Sequence, residues 1–144
     1  MKKFQFRLEQ VLEQKINLEE QALLEQVKAQ QDCIEYEQEL ATSKEKLEQV
    51  VRFSELDAKP DEQMHSLMYR EHLQLNIQRQ TRLLNRALEI LELRKEASVK
   101  ARQERMVLEK LKEKQWNEYK EMELYIEQKE IDELATLGFG RHVY

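Results

Sequence analysis

The sequence predicts an all-α protein built as a long antiparallel two-helix coiled-coil hairpin, and three observations predict it. The 144 residues contain only two glycines and one proline, whereas globular chains average about 7% Gly and 5% Pro because turns consume them. Charged residues make up 37% and hydrophobic residues 40%. The apolar side chains recur at helical spacings. A chain that can make few turns, yet places apolar residues periodically among charges, forms long helices.

The first helix is expected over about 2–57. No Gly or Pro interrupts the chain between Met1 and Lys59, and Leu, Glu, Gln, Lys, Arg and Ala dominate, all good helix formers. Leu12, Ile16, Leu23, Val27 and Ile34 follow steps of 4, 7, 4 and 7, an 11-residue repeat of about 3.67 residues per turn. Leu40, Leu47 and Val51 continue the stripe. On this reading Cys33 lies one place off the stripe, as a small packing residue.

A turn is expected at about 57–60, in the run Ser54-Glu55-Leu56-Asp57-Ala58-Lys59-Pro60. Proline disfavours helical geometry at the residue before it but suits the first position of a new helix. Asp61 and Glu62 then place negative charge at the positive end of the new helix dipole. One continuous rod dimerising in parallel would instead hold Pro60 mid-helix, at a cost of about 3 kcal/mol.

The second helix is expected over about 60–137. Ile77, Leu84 and Leu91 recur every seven residues, accompanied by Leu73, Ala87, Ala101 and Leu108. Both stripes are as narrow as coiled-coil seams, and their mixed periods imply local unwinding of the supercoil. Gly138 reads as a helix stop, with 138–144 a frayed tail. The whole of 1–144 is then one hairpin domain with unequal arms. A turn centred near residue 59 puts Phe4 opposite Lys114, so helix 2 runs on for roughly 23 residues, about 35 Å. That overhang carries Trp116, Tyr119, Met122, Leu124, Tyr125, Ile126, Ile131 and Leu134. An unpaired helix with this much apolar surface wants a partner.

Most chemistry is excluded. One cysteine, Cys33, cannot form a disulfide or a cysteine-based zinc site within one chain. Lys2 and Lys3 are followed by no apolar core of a signal peptide, and no stretch approaches a membrane span. A soluble cytoplasmic protein is expected. Gly138 and Gly140 cannot make a nucleotide-binding loop. His65 and His72 stand about 10 Å apart along a helix, too far to share one metal ion. Glu62 and His65 make a single Glu-x-x-His step where a di-iron bundle needs two. Carboxylates abound, but a two-helix hairpin has no cleft to desolvate them. No enzymatic activity, cofactor or small-molecule substrate is expected.

Charge is unevenly placed. From Arg70 to Arg102 there are eight Lys/Arg against four Asp/Glu, and from Glu113 to Glu133 eight Asp/Glu against three Lys/Arg. Different partners could meet these two stretches. The plainer reading is a solvated surface with i,i+4 pairs. Nucleic acid is not an expected partner, because the basic residues are spread over many turns, no aromatics interleave them, and the net charge is −5.

Both ends of the chain carry a resemblance. The opening Phe4-x-Phe6-x-Leu8-x-x-Val11-Leu12-x-x-Lys15, with Glu19 and Glu20 soon after, resembles the start of FliJ proteins of the flagellar export apparatus. Leu108-Glu109-Lys110-Leu111-Lys112, preceded by Glu104, leads to Tyr119 and then to Glu127-Gln128-Lys129-Glu130-Ile131-Asp132-Glu133. That order and spacing is similar to the family's C-terminal segments. The resemblance implies an antiparallel coiled coil similar to the γ-subunit stalk of rotary ATPases. It implies binding to the export ATPase FliI through Phe4, Phe6, Leu8, Tyr119, Glu127, Gln128, Lys129, Asp132 and Glu133. It implies contact with the membrane export gate FlhA, for which the hairpin tip, at Val50, Phe53, Tyr69, Leu73 and Ile77, is the candidate. It also implies handling of export chaperones, with peripheral membrane association through these partners. His72 departs from the family pattern, where a larger apolar side chain is expected. The competing readings are a stalk of another type III secretion system or rotary ATPase, and a structural coiled-coil scaffold.

Overall fold

The computed structural model describes residues 2–54 and 59–142, with side chains as far as residue 140. Two helices make up the fold, α1 (Glu9–Ser54) and α2 (Pro60–His142), and no strand occurs among the described residues. They pack antiparallel as an all-α hairpin. Residues 55–58, which include Asp57 and Ala58 of the expected turn, lie outside the described residues.

Each terminus has a local cause. Pro60 opens α2, where its missing N–H is no loss and its φ is pre-set. Asp61 and Glu62 follow in the first turn, and Gln63 N–H donates to the Lys59 carbonyl at 2.9 Å. At the end of α1, Arg52 faces the negative pole of the dipole and pairs with Glu48 at 2.6 Å. Ser54 Oγ donates to the Val51 carbonyl at 2.8 Å, satisfying one of the last carbonyls of the helix.

Two boundaries differ from expectation. α1 starts at Glu9 rather than residue 2, because Phe4 and Phe6 are drawn into tertiary packing that a continuing helix would not reach. α2 continues to His142 through Gly138 and Gly140, neither of which takes a positive φ. Glycine permits a left-handed helix cap but does not impose one. Inside a helix it costs only about 1 kcal/mol relative to Ala.

The chain divides into two compact units, Met1–Glu19 with Ala101–Tyr144, and Glu20–Lys100. In the second unit the core is one seam thick. Ala29, Cys33, Leu40 and Ser43 of α1 and Leu73, Ala87, Leu91 and Ser98 of α2 are buried. Ala29, Cys33, Ala87 and Leu91 form its central cluster, with Tyr36 packed against them. The α2 side is the stripe that the sequence predicts. The α1 side is not. Leu23, Val27 and Ile34 are 45%, 50% and 46% exposed, while Cys33 is 4% exposed. The buried line runs Ala29, Cys33, Tyr36, Leu40, Ser43 and Leu47, in alternating steps of 4 and 3. A partner helix with a strict seven-residue stripe selects the seven-residue line on α1, and the 11-residue stripe winds away from it. Small side chains on that line also let the two helices approach closely.

In the first unit Phe6 and Leu12 are buried, and Ile16, Leu108 and Leu111 are half-buried. Ion pairs flank them: Glu9 with Lys112 at 2.8 Å, Lys15 with Glu104 at 3.0 Å, and Glu19 with Arg105. Glu9, at the start of α1, meets Lys112, while Lys15 and Glu19 further along meet the lower-numbered Glu104 and Arg105, as antiparallel helices require.

Candidate functional site

The terminal unit holds the larger group of predicted site residues. Phe4 sits edge-on to Trp116, with centroids 5.1 Å apart and planes at 64°, and lies 5.5 Å from Tyr119. Trp116 and Tyr119, three residues apart on one face of α2, stack at 5.7 Å and 15°. Lys120 places its ammonium 4.9 Å from the Trp116 ring centroid, a cation–π contact. Tyr119 Oη donates to the Lys2 carbonyl at 2.7 Å. Three rings and one hydrogen bond therefore clasp the non-helical start of the chain onto α2. Beside them is an open groove of about 580 Å³, lined by Phe4, Leu12, Ile16 and Trp116 with Glu9 and Lys112 at its edge.

This clasp sorts the terminal candidates into two sets. Phe4, Phe6, Leu8 and Tyr119 are half-buried or buried in intramolecular packing, whereas Glu127, Gln128, Lys129, Asp132 and Glu133 are exposed. The structure does not gather the two sets into one cluster. Gln128 Nε2 donates to Asp132 Oδ1 at 3.1 Å, one turn along the helix, so this pair is ordered locally. From residue 121 to residue 140 every side chain of α2 is exposed. The unpartnered stretch begins after Lys120, later than expected, because Trp116 and Tyr119 belong to the clasp.

Below the clasp, Arg105 donates to Glu19 and to Glu109. Its guanidinium is held further toward the charged form, first by the Glu19 hydrogen bond and then by Glu109.

In the other unit the tip candidates divide similarly. Val50, Phe53 and Tyr69 come together around an open groove of about 520 Å³, with Lys46, Gln49, His65 and Ser66 completing its lining. Phe53 and Tyr69 are exposed there. Leu73 is buried and Ile77 half-buried, so both serve the seam. His72 is exposed. Sequence reasoning missed His65 as a lining residue and Trp116 as the centre of the clasp. The signal for Trp116 was available, since the expected register placed Phe4 only two residues from it.

Cys33 is the remaining chemically distinctive side chain. Burial pushes its thiol pKa up, and the nearby Glu37 and Asp32 carboxylates push it further in the same direction. Burial and a raised pKa both suit a packing residue.

Among the described residues no group of His, Cys, Asp and Glu is placed to hold a metal ion, and no helix is long and apolar enough to cross a membrane. The family model described as Flagellar FliJ protein matches residues 4–143. No curated protein and no solved structure matches the chain.

Proposed function

The chain belongs to the flagellar FliJ protein family and so to the flagellar export apparatus, and from that premise we propose that it is a non-catalytic coupling stalk. It joins the export ATPase FliI to the export gate FlhA and handles unloaded export chaperones. It works in the cytoplasm, at the inner face of the membrane and through its partners. One observation carries this reading: α2 runs on past the clasp with every residue from 121 to 140 exposed, although Leu124, Tyr125, Ile131 and Leu134 are apolar. Exposed apolar surface on this scale marks a binding segment. Carboxylates at Glu127, Glu130, Asp132 and Glu133 spread over more than one face of the helix, and this distribution suits a basic ring closing around it. The clasp supports the same reading by fixing the start of the chain beside the base of that segment. At the tip, the groove at Val50, Phe53 and Tyr69 is the candidate gate contact, because an exposed aromatic pair beside an apolar groove favours docking.

Deleting residues 121–144 tests the proposal. The truncated chain should keep its helical hairpin, since every described side chain it removes is exposed, and should lose stimulation of the FliI ATPase. Reversing Glu127 and Asp132 together to Lys should weaken stimulation severalfold at low salt and less at high salt. Unchanged stimulation by a folded deletion variant would remove the segment from the ATPase contact.

A further inference from the structure

The glycine-free stretch of α2 carries a basic row that neither the seam nor the terminal segment explains. Arg79, Arg82 and Arg86 follow steps of 3 and 4, so they line one face of the helix, and all three are exposed. None of the three joins an ion pair among the described residues. Asp32 and Arg86 line a common groove without pairing. Leu75, four residues before Arg79, extends the row and is 66% exposed. Leu83 and Ile90 flank it and line the same groove with Tyr36. Three unpaired arginines beside apolar side chains suit an acidic, amphipathic helix.

Such a helix exists in this chain. Glu123, Glu127 and Glu130 follow steps of 4 and 3, are exposed, and continue after another four residues to Leu134. Set antiparallel, the two rows match throughout: Leu75 against Leu134, Arg79 against Glu130, Arg82 against Glu127 and Arg86 against Glu123. The flanks match as well. Leu83 lies to one side of the arginine row, and Leu124 lies to the same side of the carboxylate row in the sense of helix winding. Antiparallel helices bring like sides together, so Leu83 meets Leu124. A parallel pair would place them on opposite sides. Within one copy the two segments belong to a single unbroken helix, so the match can be used only between copies.

We propose that the acidic C-terminal segment of one copy docks antiparallel on the Arg79–Arg82–Arg86 face of a second copy, through these charge pairs and the leucines at their ends. The contact joins unlike segments of two copies, so association grows with concentration. Few residues take part and the charges are exposed, so the affinity is weak, with Kd on the order of 100 µM. At that affinity the chain would be monomeric at micromolar concentration. Because the interface covers Glu127, a copy held this way has its acidic segment masked, and any partner that needs that segment competes with self-association.

Sedimentation of the full chain from about 10 to 500 µM, at low and at high salt, is the test. The expected result is a weight-average mass that rises with concentration at low salt and falls back roughly tenfold in association constant at high salt. Arg79→Glu, Arg82→Glu and Arg86→Glu together should leave the chain monomeric, as should Glu123→Lys, Glu127→Lys and Glu130→Lys together. The chain carrying both sets should associate again, because the charges are exchanged across the same contact. Where a reversed chain loses helicity, the corresponding Gln sets serve, with loss but no rescue expected. A wild-type chain that stays monomeric throughout overturns the proposal and leaves the arginine face to an acidic helix of another protein. Association that survives either set of reversals, or reversals that fail to rescue each other in a fully helical chain, overturns it too.

Discussion

The two units hold the same pair of helices by different chemistry. Across Glu20–Lys100 the contact is a thin line of small or polar side chains. Ala29, Cys33, Ser43, Ala87 and Ser98 are all buried there, and Gln80 keeps its Oε1 buried without a hydrogen-bond partner. In the terminal unit the contact is concentrated. Phe4, Trp116 and Tyr119 stack in one cluster, and Lys15–Glu104 and Glu9–Lys112 lie along the helices beside it. Small side chains contribute little apolar area each, so the thin seam depends on an unbroken seven-residue repeat and on its few large residues. An aromatic cluster contributes much at one place. Damage to the seam should therefore be felt along the unit, and damage to the clasp should stay local.

The largest expected effect tests the seam. Leu73→Ala removes a buried leucine from a contact with few large side chains to share the loss. It should cost about 2–3 kcal/mol, the lower part of the range for buried leucines because a two-helix seam can partly collapse. Urea unfolding monitored by far-UV circular dichroism would measure it. A loss below about 1 kcal/mol would mean that the small residues, not the leucines, set the stability of this unit.

A smaller effect is expected at the clasp, and it has its own reporter, because Trp116 is the only tryptophan. Phe4→Ala removes the edge-on ring and should shift Trp116 emission to the red while leaving helicity unchanged. The cost should be about 1–2 kcal/mol, near the worth of an aromatic pair plus partial burial. If helix content fell as well, the clasp would be supporting α1 as a whole rather than its non-helical start.

The smallest effect belongs to Cys33 and appears only with pH. Its pKa is raised in the folded chain, first by burial and then by Glu37 and Asp32, so the fold favours the protonated thiol. That preference costs nothing below the ordinary thiol value of about 8.5 and weakens the fold as pH rises above it. Stability should thus decline slightly between pH 8 and 10, and Cys33→Ala should remove the decline. Alkylation of the native thiol should be slow at pH 8 and quicken only with unfolding. Fast alkylation at pH 8 would mean that the seam opens readily at Ala29 and Ala87.

Read from the residues alone, much of this was legible. The scarcity of Gly and Pro announces long helices, Pro60 marks the break, and Leu73, Ile77, Leu84, Ala87 and Leu91 give the α2 seam correctly. The partner line on α1 was not legible. Leu23, Val27 and Ile34 are the more hydrophobic choice, and nothing within α1 says that Ala29, Cys33 and Ser43 should be buried in their place. The site was legible in the same divided way. Charge and apolar content marked the C-terminal segment and the tip as candidates, but not that Phe4 and Tyr119 would be engaged with each other or that Phe6 would be buried.

What the sequence determined by itself was therefore local: helix content, the position of the break, the dipole-matched start of α2, and the distribution of charge along the chain. Backbone propensity and spacing act over a few residues, and they suffice for these. The tertiary structure alone decided which face of α1 is buried, how far the chain start stays out of the helix, and where the exposed part of α2 begins. Each depends on a partner on the other arm of the chain, far beyond the reach of local propensity. A heptad-patterned helix selects the line that keeps contact with it, and the rings of Trp116 and Tyr119 hold Phe4 where helix propensity alone would have continued the spiral.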